Sequence, residues 1–205
     1  MDIEFTRMGV VYLHLIACCV AIGLVFISDI DMVKQLIEGD PHKRLDSKHL
    51  AGLQKTVSRA LLVLWVTGAA IITVDASVKG WGILANPKLQ SKIAIVTLLT
   101  LNGYALHRYV LPLMQKAGSL LRLSFSQRMI AVFAGAVSGV SWFYAAMLGI
   151  GRPLNWKYSL VEILAAYPVL IAGGFVSMAF LTFWSQYKAS GDAQAFQGTI
   201  MVGAR

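Results

Sequence analysis

Charge is what this chain has least of. Of its 205 residues only 14% are Asp, Glu, Lys or Arg, against about 25% in an ordinary soluble domain. Too little polar surface is left to keep a chain of this size in water, which excludes a soluble α/β enzyme and a disordered segment. Cysteine is nearly absent too: Cys18 and Cys19 are the two present, which excludes a disulfide scaffold. Neighbouring cysteines on a helix point about 100° apart, so no bridge is expected between them. HExxH, CxxC, phosphate-loop, GxSxG and paired-carboxylate patterns are all missing. Hydrolase, nucleotide-driven pump and soluble-type metalloenzyme readings therefore have no footing. There is no internal repeat or low-complexity tract, and no secretory leader with a small-residue cleavage site is expected.

What is present is apolar. Hydrophobic residues make up 57% of the chain and the mean hydropathy is +0.66. Five stretches are long enough to cross about 30 Å of hydrocarbon as helix: Gly9–Ser28, Ala60–Val78, Ile93–Met114, Met129–Ile150 and Val161–Trp184. The expected fold is all-α, a polytopic membrane bundle of five transmembrane helices forming one domain over residues 1–205. Pro168 and Gly173-Gly174 interrupt the fifth stretch, which a bundle tolerates because neighbouring helices satisfy freed carbonyls.

The net charge of +8 would suggest nucleic acid in a soluble protein. Here basic cytoplasmic loops account for it, and no nucleic-acid partner is expected. With five crossings, twelve Lys and Arg fall on one side and six on the other. That bias places the amino terminus outside and the carboxyl terminus inside, as in the inner (cytoplasmic) membrane of a bacterium. The one sizeable loop is then cytoplasmic, Asp29–Arg59, with a turn at Gly39-Asp40-Pro41. Asp46 or Ser47 is placed to cap a helix running unbroken into the second span. In the fourth span Ala131, Gly135 and Gly139 form a small-residue stripe suited to a close helix contact, within the bundle or between copies.

Ionisable residues inside a bilayer cost several kcal/mol unless paired or solvated. His14 lies roughly 8 Å into the first span, among Val10, Val11, Leu13, Leu15 and Ile16. Asp75, Lys92 and Glu162 fall near the same leaflet, so four ionisable groups from four helices are expected to converge. Lys92 can snorkel, and the carboxylates can sit among headgroups. For His14 three roles are open: a hydrogen-bonded core residue, a metal or heme ligand, or a proton carrier. Cys18, four residues on, shares its face and could join it in binding copper or zinc. His107 forms a second locality near the other face of the membrane. Gly103 one turn earlier would let a flat macrocycle rest on the backbone, with Tyr104 and Arg108 beside it. The two histidines are separated in depth by roughly 17 Å, whereas two axial nitrogens on one iron stand only about 4 Å apart. They cannot share an iron. His42 and His49 fall in the cytoplasmic extension. Met147 is the methionine at the depth a second ligand would need, and Trp142 and Tyr144 would wall the pocket.

Tyr12-Leu13-His14-Leu15-Ile16, together with Lys92-Ile93-Ala94-Ile95-Val96 leading to Gly103-Tyr104, resembles the HemJ-type membrane protoporphyrinogen oxidases and the related copper-resistance protein D membrane domains. The short motifs cover about half the chain. The resemblance implies heme b held by a first-helix His, here His14, and a characteristic Lys opening a later helix, here Lys92. The chain departs from the pattern at Asn102-Gly103, where the family carries a Tyr-His pair, and His107 stands one turn later.

The expectation that follows is a heme-b-binding membrane oxidoreductase or electron-transfer protein. Its cofactor residues are His14, Lys92, Met147, Trp142, Gly103 and His107, with His14 on the iron. Asp75, Lys92 and Glu162 are its proton-handling or catalytic candidates. Partners would be membrane lipid, a redox protein or quinone, and a second copy or complex subunit. Two other functions compete: a small metal or solute transporter, and a non-catalytic subunit anchoring a larger complex.

Overall fold

A computed structural model describes residues 3–38 and 47–203, with side-chain detail for 3–38 and 52–188. Among these residues every regular element is helical: α1 Ile3–Glu38, α2 Ser47–Lys79, α3 Pro87–Ala105, α4 Leu111–Ala117, α5 Phe125–Ile150 and α6 Leu160–Gly203. Four helical stretches are long and apolar enough to cross a membrane: Ile3–Glu38, Gly52–Lys79, Phe125–Ile150 and Leu160–Lys188. This is a multi-pass membrane helical bundle. Large apolar side chains such as Leu13, Leu15 and Val20 on α1 and Val169, Val176 and Phe180 on α6 cover its outside, as a lipid-facing surface requires.

Two expectations change. Within Asp29–Arg59 the expected helix is there from Ser47, where α2 begins, but the first part of the expected loop is helix too, because α1 continues to Glu38. Asp29 and Asp31 therefore lie on α1. The turn at Gly39-Asp40-Pro41 and His42 lie outside the described residues, as does the side chain of His49. The stretch Ile93–Met114 is not one regular helix and is not among the four apolar ones. It is split between α3 and α4 by a π turn, Leu106–Val110.

Pro112 explains the split. It has no N–H to give Arg108, and its ring clashes with the carbonyl four residues back. The ladder widens instead, and the Leu111 N–H bonds the Leu106 carbonyl, five residues back.

The helices pack as two groups. α1 lies along α2, and α5 packs on α3 and α6, which also touch each other. α5 is the central element, the most buried of the four apolar helices. Its small residues allow close approach: a Cβ on Gly174 of α6 would sit 3.7 Å from both Ala136 and Val140. Hydrogen bonds lock these contacts. Asn102 of α3 donates to the Ala134 carbonyl at 2.9 Å, Ser141 and Tyr167 share a bond of 2.7 Å, and the Tyr144 hydroxyl donates to the Ile163 carbonyl. α3 begins at Asn86, whose side chain accepts from the Lys88 N–H at 3.0 Å and donates to Asn155, tying the two connecting loops together.

Candidate functional site

α1 and α2 run antiparallel and are joined at two levels. Near the start of α1 and the end of α2 the Arg7 guanidinium grips Asp75, with Nε to Oδ1 at 2.6 Å and Nη2 to Oδ2 at 3.3 Å. Two turns deeper, His14 Nδ1 lies 2.7 Å from Thr67 Oγ1. The Thr67 hydroxyl is 2.6 Å from the Val63 carbonyl, to which it donates. A hydroxyl has one proton, so its oxygen accepts from His14 Nδ1–H. The neutral ring is thereby assigned with Nδ1 protonated and Nε2 carrying the free lone pair. Gly68 keeps the backbone of α2 close, since a Cβ there would stand 3.6 Å from His14 Cε1. Lys92, from α3, lies within electrostatic range of His14 and of Cys18. Its Nζ crosses to α5, where a Cβ on Gly149 would stand 3.6 Å from it. His14, Thr67 and Lys92 thus form one locality built by three helices.

The other expected members are elsewhere. Asp75 is neutralised by Arg7. Glu162 closes a capping box at the start of α6: its Oε2 accepts from the Ser159 N–H at 2.7 Å and from the Ser159 hydroxyl at 2.8 Å, while Ser159 Oγ accepts from the Glu162 N–H at 3.3 Å. Of the four ionisable groups expected to converge, only His14 and Lys92 share a place. Met147 is 42% exposed on the outer face of α5, whereas its neighbour Leu148 is fully buried. Tyr144 is committed to the α5–α6 contact. Among the described residues no three His, Cys, Asp or Glu side chains are grouped as a metal ion would need, so His14 and Cys18 remain a pair.

Gly103, His107 and Trp142 come together in a second place, a cavity of about 660 Å³ between the two helix groups. Its walls are mainly apolar, with Leu24, Val25 and Met32 from α1, Leu53, Val57 and Leu61 from α2 and Leu99 from α3. Its polar groups include Ser28, Asp29, Asp31 and Gln35 of α1, Gln54 and Ser58 of α2, Thr100 of α3, Ser138 of α5, and His107 of the π turn. The turn puts His107 Nε2 within 3.1 Å of Ser58 Oγ. Seven residues away along both helices, Trp65 Nε1 donates to Thr100 Oγ1 at 3.0 Å. The small-residue stripe of α5 faces inward here: Gly135 lines the cavity, and a Cβ on Gly139 would sit 3.3 Å from Asp29 Oδ2. His14, Lys92 and Met147 are not part of its lining.

The sequence did not mark Thr67, Arg7, Ser58 or Asp29. Threonine and serine are ordinary in apolar helices, and their roles become visible only once the antiparallel register of α1 on α2 sets His14 opposite Thr67 and Arg7 opposite Asp75. No protein-family model matches the chain, and neither a curated protein nor a solved structure matches it.

Proposed function

We propose that the chain is a heme-b-binding membrane redox protein whose iron ligand is His14. The observation that carries this reading is the bond from His14 Nδ1 to Thr67. Metal-binding histidines nearly always donate their second ring nitrogen to a protein oxygen, which fixes the tautomer and aims the other nitrogen at the metal. The residues present fit such a group: Nε2 is free, the ring is held by a buried hydroxyl, and the Lys92 ammonium stands ready to offset a propionate charge. When bound, the heme would supply one-electron exchange tuned by its ligand and surroundings. Thr67 would keep His14 oriented, and the Arg7–Asp75 pair would hold α1 and α2 in register above it. The short motifs around His14 and Lys92 that resemble the HemJ-type family support the same reading.

The reading includes five crossings. α3, the π turn and α4 together make about 46 Å of helical path at 1.5 Å per residue, enough to cross although their ends are charged. The amino terminus is then outside and the more basic loops inside, in an inner membrane. A visible spectrum tests the proposal. Protein from heme-replete cells is expected to show a Soret band that His14→Ala removes. No Soret band, or one that His14→Ala leaves unchanged, overturns it.

A further inference from the structure

The cavity between the helix groups is distinct from the His14 locality. Its chemistry names a ligand. We propose that it binds a neutral, lipid-soluble ring compound bearing oxygens, of the quinone and quinol class.

Its size, access, lining chemistry and charge carry this. The volume falls in the range of small-molecule sites, roughly 300–1,000 Å³. Access is lateral: α2 and α3 scarcely touch, and Leu62, Trp65, Tyr104 and His107 line the cavity while also being exposed. The Ser58–His107 and Trp65–Thr100 bonds bridge this gap at two levels about 10 Å apart, framing an entrance that opens on the apolar flank of the bundle. A ligand entering there comes from the membrane. Hydrogen-bonding groups then stand on different walls. The His107–Ser58 pair can donate to a carbonyl, and Asp29 on α1, with no hydrogen-bond partner among the described residues, can accept from a hydroxyl. Aromatic faces of Trp65, Tyr104 and Trp142 suit a planar ring. Finally, no Lys or Arg side chain lines the cavity among the described residues, while Asp29 and Asp31 do. Phosphate headgroups and carboxylate-bearing macrocycles are therefore disfavoured. The site sits at a π turn, a distortion that recurs at functional positions.

The test is titration of the full-length protein in phosphatidylcholine nanodiscs with decylubiquinone, read by quenching of tryptophan fluorescence, since Trp65 and Trp142 line the cavity. Saturable quenching is expected. His107→Ala should weaken it about tenfold, the worth of one hydrogen bond. Gly103→Leu should weaken it at least as much, because a Cβ there meets nothing within 4 Å and a longer side chain has the cavity to fill. Ser138→Leu serves the same purpose from α5 should Gly103→Leu fail to fold. Phe180→Leu, on the outside of α6, should change nothing. Quenching that does not saturate, or that survives both His107→Ala and a filling variant, overturns the proposal. So does equal displacement by 1-decanol, which would make the cavity a slot for an acyl chain. The same titration on His14→Ala separates this site from the heme reading: binding is expected to persist there whether or not a Soret band was present.

Discussion

Thr67→Val is the sharpest perturbation of the His14 locality. Valine matches threonine in shape but removes the oxygen that receives His14 Nδ1–H at 2.7 Å. Thr67 is buried, so the imidazole N–H loses its acceptor where water does not readily replace it. An orphaned donor of this kind costs about 1–3 kcal/mol, which corresponds to roughly 5- to 150-fold in an equilibrium constant. Loss of an outer partner of a metal-bound His is known to cost about 10–100-fold in affinity, so the two estimates agree. Heme titration followed at the Soret maximum should show weakened binding of that size in Thr67→Val. Thr67→Ser, which keeps the hydroxyl, should restore most of it, and His14→Ala should abolish the band. A Thr67→Val protein with unaltered heme affinity and midpoint potential would refute the argument that this hydroxyl sets the tautomer and direction of the ring.

Three further outcomes follow from the geometry. A double-mutant cycle on Arg7→Ala and Asp75→Ala, read by thermal unfolding in detergent, should give a coupling of no more than about 1 kcal/mol, since Arg7 is 46% exposed and solvent screens the pair. Glu162→Ala should lower the unfolding temperature slightly by removing the capping box, and Glu162→Gln, which can still reach the Ser159 N–H, should not. An equal loss in both variants would show that the charge, and not the box, is what matters. Pro112→Ala should let α3 and α4 join in ordinary register, turning His107 by about 100° away from Ser58. Cross-linking of Ser58→Cys with His107→Cys should be efficient in the otherwise unchanged chain and poor when Pro112→Ala is added.

The helices were legible because they are apolar over long runs, and the start of α2 was legible at Ser47 because a capping residue precedes a periodic segment. Ile93–Met114 was harder. Its charged and polar residues, among them Asn102, His107 and Arg108, dilute the hydropathy, and the π turn is the local consequence of a single proline. His14 stood out because an imidazole among aliphatic neighbours needs a partner. The sequence could not say that the partner is Thr67, since a threonine in an apolar helix ordinarily bonds its own backbone, as Thr73, Thr97 and Thr100 also do. Nor could it separate the two sets of cofactor candidates. Depth along a helix showed that His14 and His107 cannot share an iron, but only the packing of α2 across from α3 shows that His107, Gly103 and Trp142 surround a space of their own.

The clasp between α1 and α2 has a bearing on biosynthesis. Arg7, His14, Thr67 and Asp75 all belong to the first 79 residues, and each bond closes within that hairpin. Once Lys79 has left the ribosome, the hairpin has everything it needs to set its register, while α5 and α6 are still to emerge. The later helices then dock onto a finished template, and the imidazole is aimed before the lysine that faces it has been packed into place.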